Sequence, residues 1–409
     1  MMTGILAGMR VIEGSAFVAA PLGGMTLAQM GAEVIRFDPI GGGIDYGRWP
    51  ITEDGVSLFW AGLNKGKKSI AIDLGSPRGV EIAVALITAP GEGGGLFLTN
   101  FPARGWLDYE RLKKRRADLI MLNILGHFDG ATAVDYTVNC AVGFPFVTGP
   151  QGEQQPVNHV LPAWDAITGA TAAAGLLAAE RHRARTGEGQ LVKLPLSDVA
   201  YAMVGHLGFI GEVQVNGVER ERYGNYLYGG FGKDFVTADG GRVMVIGLSF
   251  RQWQSLIKAT GLGPRFTEIG NRLKLDLADE GNRFKAREEL AAVLAPWIAA
   301  RTVAQLVETF DPAGVCWGPY QTFAQMLAQD SRCSAANPMF HEVDQPGIGK
   351  VLSPASPLEF TAESLSPGRL PAQPAPRLGG HTDEILADLL GLSSLEIGKL
   401  HDDRVVAGP

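Results

Sequence analysis

Across the first two hundred residues the apolar positions fall into short strand-like runs bounded by turn residues, each followed by a longer stretch with helical apolar spacing. Strands are expected over 9–13, 33–37, 69–73, 96–99, 119–124 and 190–194, and helices over 22–30, 78–88, 108–116, 166–183 and 197–210. Pro21 ahead of the first helix and Ser76-Pro77 ahead of the second are start signals. A strand–helix–strand rhythm of this kind is met most simply by a parallel, Rossmann-like sheet with helices on its faces, an α/β domain.

Beyond residue 212 the grammar changes. The stretch 213–232 is polar and aromatic and ends in Tyr223-Gly224-Asn225-Tyr226-Leu227-Tyr228-Gly229-Gly230-Phe231-Gly232. It reads either as a linker or as a functional loop, because glycine lets a backbone approach a ligand closely. A short hairpin around 235–237 and 243–246, then helices over 250–260, 282–300 and 302–310, predict a smaller α+β domain over 234–329. The proline-rich segment 346–376 is too long and irregular for a tidy connection. Helices over 382–390 and 394–401 close the chain. The expected organisation is a large domain over 1–212 completed by 340–409, a linker and glycine loop over 213–233, the small domain, a second linker region over 330–376, and C-terminal helices of the large domain in 377–409.

Length supports two domains, since 409 residues exceed the size at which single cores stop growing. A net charge of −7 argues against a nucleic-acid surface and against a polybasic membrane contact. Local basic clusters, at Lys65, Lys67 and Lys68 and from Arg111 through Arg116, suit an anionic small molecule instead. No apolar run approaches the roughly 18 residues of a membrane span, and no N-terminal stretch has the build of a secretory signal. Cys140, Cys316 and Cys333 lack C-x-x-C spacing and are expected to be buried structural thiols of a cytoplasmic protein, with no disulfide framework and no zinc site.

Several chemistries fail on their motifs. Gly41-Gly42-Gly43 and Gly93-Gly94-Gly95 do not form a G-x-G-x-x-G fingerprint after the first strand, no G-x-S-x-G elbow is present, and the seven histidines show no metal-binding pairing. Asp165, in Leu161-Pro162-Ala163-Trp164-Asp165, stands at the mouth of a long alanine-rich helix where packing explains a carboxylate poorly. It reads as a helix cap, as a carbonyl-attacking carboxylate, or as both. His159, six residues earlier, is either an ordinary loop histidine or a group supporting Asp165.

Four blocks spanning the chain carry a resemblance: Gly31-Ala32-Glu33-Val34-Ile35-Arg36-Phe37-Asp38-Pro39, Asn64-Lys65-Gly66-Lys67-Lys68-Ser69-Ile70, the Asp165 segment with Gly187-Glu188-Gly189-Gln190, and Ala375-Pro376-Arg377-Leu378-Gly379-Gly380-His381-Thr382-Asp383-Glu384-Ile385-Leu386. Together they resemble the class III CoA-transferases. The resemblance implies an interlocked homodimer whose chains each hold a Rossmann-like domain and a small domain, with linkers threading through the partner. It also implies that Asp165 accepts the acyl group, and that a carboxylate with an ordinary pKa of about 3.9 is ionised at neutral pH without a base.

Within that family the pattern is similar to the branch that moves CoA between the two ends of a branched, unsaturated C5 dicarboxylate. The activity implied is conversion of 2-methylfumaryl-CoA (mesaconyl-C1-CoA) into 3-methylfumaryl-CoA through aspartyl anhydride and aspartyl-CoA intermediates. CoA then arrives as part of the substrate, with no resident cofactor and no metal. Carried over residue by residue, Val18, Ala19, Lys68, Ile72, Asp73, Leu74, Asn100, Phe101 and Arg104 would contact CoA. Arg48, Tyr136, Tyr226 and Tyr228 would recognise the acyl group, and Gly229 and Gly230 would supply oxyanion donors.

Two departures narrow the reading. Val18 stands where the formyl-CoA branch has a glutamine, against formate or oxalate as substrates. The racemases of the same fold have a histidine shortly before a tyrosine equivalent to Tyr136, but Thr132-Ala133-Val134-Asp135 stands there and His127 is too far upstream. Intermolecular transfer between dicarboxylic acids, racemisation and CoA binding without turnover stay open as alternatives.

Overall fold

The computed structural model describes residues 4–365 and 368–409. Six strands, β1 (Arg10–Gly14), β2 (Glu33–Pro39), β3 (Lys68–Ile72), β4 (Leu96–Thr99), β5 (Ile120–Leu125) and β6 (Leu191–Pro195), pair in parallel. A short C-terminal strand, β12 (Val406–Ala407), adds antiparallel to β3, giving the order β12-β3-β2-β1-β4-β5-β6. Covered on both faces, these strands can be apolar throughout. Ile12, Ile35, Phe37, Ile70, Phe97 and Met121 face one core, closed by the helix Pro77–Ile87 and by Ile385, Leu386, Ile397 and Leu400 near the C-terminus. Their neighbours Val11, Val34, Leu96, Leu98, Ile120 and Leu122 face the other.

That second face is covered by helices α1 (Ala19–Gln29) and α3 (Ala163–Thr186); the shorter α2 (Asp135–Ala141) lies between them in sequence. Glycine sets the approach of α1 to α3: a Cβ on Gly169 would meet the Ala19 carbonyl oxygen at 2.7 Å, and one on Gly23 the Gly169 oxygen at 3.1 Å. The mouth of α3 is thereby held beside the loop that leads from β1 into α1. Strand order reverses between β1 and β4, and in open sheets of this kind the crevice at the carboxyl ends of the two strands is where ligands bind.

The chain divides into two compact units, 1–142 with 160–214 and 331–409, and 143–159 with 215–330. The smaller one thus takes 143–159, and nearly all of the stretch 213–233 expected as a separate linker and glycine loop, in addition to the region expected for it. Its antiparallel sheet has three strands, β7 (Phe231–Val236), β8 (Arg242–Gly247) and β9 (Cys316–Pro319), the last of which was not expected. Trp253, Phe266, Leu290, Leu294 and Phe310 fill its core. In the larger unit the proline-rich region is partly a hairpin, β10 (Phe340–Gln345) with β11 (Gly349–Pro354). The helix Phe209–Asn216, within which the chain passes from one unit to the other, occupies the start of the stretch expected to be a linker.

The cysteines correct an expectation. Cys140 is exposed and Cys316 and Cys333 are half-buried, all three as free thiols. Among the described residues no single helix is long and apolar enough to cross a membrane.

Candidate active site

A cavity of about 470 Å³ opens in the larger unit at the carboxyl ends of β1, β4 and β5. Ala16, Phe17, Val18 and Ala19 form one wall, Asn100 and Phe101 another, and Arg48, Phe59, Asp135, Tyr136 and Asp165 also line it.

The β1–α1 wall is held by hydrogen bonds from afar. Asn100, just past β4, accepts from the Ala16 N–H (3.0 Å) and donates to the Ala16 carbonyl (2.8 Å), tying the two strands together where their order reverses. Phe17 adopts a left-handed backbone, φ 67°, which costs a bulky residue roughly 1–3 kcal/mol and persists only where neighbours impose it. Its N–H donates to Asp45 Oδ2 at 3.0 Å.

Asp45 in turn belongs to a buried ionic network. The Arg36 guanidinium meets Asp38 (2.8 Å), Asp45 (3.2 Å) and the Ser15 carbonyl (3.1 Å), with Glu13 at 3.7 Å. Burial opposes the charge on Arg36, but Asp38, Asp45 and Glu13 outweigh it and raise its pKa. Lys67 donates to Glu13, the Pro21 carbonyl and Asn64, at 2.8, 2.9 and 2.9 Å, and burial pulls its ammonium down to about 8 against the pull of Glu13.

At the mouth of α3 the cap comes from elsewhere in the fold. Pro162 holds the N-cap position and offers no side-chain acceptor. Asp135 supplies one: its Oδ2 accepts from the Trp164 N–H at 2.8 Å and the Asp165 N–H at 3.1 Å. One helical turn on, Asn139 accepts from the Trp164 indole at 3.1 Å, so α2 grips Trp164 at both ends. Asp165 itself therefore does not cap the helix, and its carboxyl group is left to the cavity.

The ordinary acidity expected for Asp165 is corrected here. Burial, then the Asp135 charge, push its pKa up to about 7, with Arg48 pulling the other way. Near neutral pH the Asp165 carboxylate is thus in balance with its protonated form. Arg48 sits over the rings of Phe17 (5.5 Å) and Phe59 (5.2 Å) and has no carboxylate within ion-pair distance among the described residues. A carboxyl nucleophile and an open guanidinium in one crevice can attack an acyl carbon and hold a second carboxylate.

Of the residues expected to contact CoA, Val18, Ala19, Asn100 and Phe101 line the cavity. The others do not. The Lys68 ammonium is engaged by Glu33 (2.8 Å), the first residue of β2, and by Glu384 (2.7 Å), and so is no free phosphate ligand. The Ile72 side chain is fully buried in the core, Leu74 packs on that core, and Asp73 accepts from the Gly75 N–H. Arg104 is exposed, just ahead of the turn Gly105–Leu107. Lys67 of the same cluster is likewise structural, buried with all three of its ammonium donors engaged. Of the residues expected to recognise the acyl group, Arg48 and Tyr136 are in the cavity wall.

Tyr226, Tyr228, Gly229, Gly230 and His159 all belong to the smaller unit. There Phe284 meets Tyr223 and Tyr228 edge to face while the two tyrosines are tilted against each other, with Arg220 over Tyr228 at 3.7 Å and Arg287 over Phe284 at 4.4 Å. Sequence reasoning missed Asp135, Phe17, Phe59 and the Arg36 network. Asp135 carried a weak signal, an acid at the start of a short helical pattern, and Phe17 carried none.

Comparison with known proteins agrees with this geometry. A family model, CoA-transferase family III, matches residues 6–382. The 2-methylfumaryl-CoA isomerase of Chloroflexus aurantiacus is 63% identical over 409 residues, covering 100% of this chain and 99% of that one. The succinyl-CoA:mesaconate CoA-transferase of Haloarcula hispanica is 29% identical over 94% of this chain and 96% of its own. Among solved structures, a CAIB/BAIF family protein from Brucella suis superposes with a TM-score of 0.76 at 24% identity, covering 95% of this chain and all of that one, and so shares the fold. The chain belongs to CoA-transferase family III.

Proposed function

We propose that the protein is an intramolecular CoA transferase that converts 2-methylfumaryl-CoA into 3-methylfumaryl-CoA. One observation carries the reading: Asp165 and the unpaired Arg48 share one crevice, in a chain 63% identical from end to end to an enzyme of that activity. Asp165 attacks the C1 thioester carbonyl and expels CoA thiolate, leaving a mixed anhydride. Thiolate then attacks the aspartyl carbonyl, giving aspartyl-CoA and free mesaconate. The C4 carboxylate attacks aspartyl-CoA to form a second anhydride, and thiolate finally takes the C4 acyl group.

Arg48 gives the mesaconate a reason to stay. In the substrate the free carboxylate is C4, and in the product it is C1, so one cation can anchor each end in turn while the other reacts. Val18, Ala19, Asn100 and Phe101 flank the CoA thiol end. We place the protein in the cytoplasm, which suits three free thiols. We also propose a homodimer, because the helix Phe209–Asn216 buries none of its residues, and Val213 and Val215 on it are 57% and 83% exposed.

Incubation with 2-methylfumaryl-CoA and labelled free mesaconate tests the reading. Product without label is expected, together with loss of turnover in Asp165→Asn. Label in the product would show intermolecular transfer instead, and in a separate incubation of a saturated 2-methylacyl-CoA in deuterated solvent, deuterium at the α-carbon would show racemisation.

A further inference from the structure

Asp135 stands out once the mechanism has used Asp165 and Arg48. Its side chain is 2% exposed and borders the same cavity, yet only one of its oxygens is engaged. Oδ2 takes both backbone N–H groups at the mouth of α3, and Oδ1 is buried without a hydrogen-bond partner. A buried carboxylate oxygen left unmade is costly, and the cap needs only the other one. A serine or asparagine would cap a helix without that cost. Something other than capping favours an acid here.

We propose that Asp135 is a positioning residue whose charge, fixed against the backbone of Asp165, disfavours the free Asp165 carboxylate and thereby favours its acylated forms. The inference rests on the covalent reading of Asp165 given above. An anhydride or a thioester at Asp165 is neutral, so acylation removes one of two like charges that share a desolvated wall. No atom of Asp135 joins the bond changes: acyl carbon, thiolate and carboxylate exchange as already written. The consequence is a longer-lived aspartyl-CoA stage, the interval in which free mesaconate must turn end for end.

The electrostatics around Asp165 point the same way. Besides Asp135 and Tyr136 on α2, the ionisable side chain in the cavity wall is Arg48, whose pull is opposite in sign. α1 carries no ionisable residue. The helix Leu196–His206, packed on α3, carries Asp198, which takes the Ser197 hydroxyl, the exposed Tyr201, and His206 as its last residue. Of these groups Asp135 is the one that pushes Asp165 toward its neutral state, after burial itself.

Asp135→Asn and Asp135→Ser keep an oxygen for the cap and remove the charge. Quenched-flow mass analysis of the Asp165 peptide, with 2-methylfumaryl-CoA saturating, reads the fraction acylated, and the pH dependence of kcat/KM reads the acid limb. In both variants the acid limb is expected to move down by about one pH unit and, at about pH 8.5 where free Asp165 is ionised in wild type and variant alike, the ratio of acylated to free Asp165 to fall about tenfold, the two being equivalent there by linkage. An unmoved limb with an unchanged acyl fraction, or unfolding of both variants by circular dichroism, overturns the inference and leaves Asp135 a structural cap. Absence of acyl label at Asp165 in the wild type is a different failure, that of the proposed function.

Discussion

The larger unit holds two groups of charge that share the β1–α1 loop and are built on opposite principles. In the first, Glu13, Arg36, Asp38, Asp45 and Lys67 lie almost wholly out of solvent, and their charges close on one another. In the second, Arg48, Asp135 and Asp165 border the cavity, yet none of the three has an ion-pair partner among the described residues. A closed network fixes geometry, because each charge has an opposite charge beside it inside the fold. An open set does the reverse: its charges are poorly satisfied until a substrate with the complementary pattern arrives. On the function proposed above, catalysis gains from the second arrangement only because the first holds the loop between them.

Breaking the closed network is expected to have the largest effect on stability. Arg36→Met leaves Asp38, Asp45 and Glu13 buried without the cation they share, and removing one partner of a buried ion group costs about 3–5 kcal/mol. Urea unfolding reads this directly. The left-handed Phe17 loses the support of Asp45 at the same time, so any folded variant should also bind acyl-CoA poorly.

The same change in the open group should leave the fold nearly intact and damage the chemistry. Arg48→Met gives up two cation–π contacts, worth about 1 kcal/mol in total at an exposed site, but also the anchor for a carboxylate. A fall in kcat/KM of about 10²-fold is expected, corresponding to about 2–3 kcal/mol. Labelled mesaconate should now enter the product, because the free acid escapes. The acid limb should rise, opposite in sign to the Asp135 variants, since Arg48 lowers the Asp165 pKa. A loss of stability matching that of Arg36→Met, with label still excluded, would erase the distinction between the two groups.

How far the sequence reveals this follows from what is local. Parallel strands buried on both faces are short apolar runs between turn signals, so 96–99 read as a strand and β4 is Leu96–Thr99. Asp165 was expected just outside its helix but lies in the first turn, because the acceptor that lets α3 begin at Ala163 comes from Asp135, thirty residues earlier. Lys67 and Lys68 read as part of a basic cluster suited to an anionic small molecule because their partners Glu13, Glu33 and Glu384 are remote in sequence. The hairpin at the start of the proline-rich region is hidden for another reason: Pro346 sits in its turn and Pro354 ends its second strand, so these prolines punctuate strands inside a segment that reads as irregular.

The smallest effect is the most specific to Asp165. An aspartate in the unfolded chain titrates near 3.8, and in the folded protein near 7. Between those values the native state holds a proton that the unfolded state has lost, so folding stability falls as pH rises through this window and levels off above it. The upper bound is about 4 kcal/mol for a shift of this size, and partial exposure of the side chain reduces it to about 1–2 kcal/mol. Asp165→Asn removes the titration without changing the shape of the side chain. Its urea midpoint relative to wild type should therefore climb between pH 4.5 and pH 7 and stay constant from pH 7 to pH 8.5, the other titrating groups cancelling in the difference. A difference that is flat across the whole range would mean that Asp165 ionises as an ordinary carboxylate. In that case the open group would be no more strained than the closed one, and the advantage to the enzyme of acylating Asp165 would have to come from binding of the substrate alone.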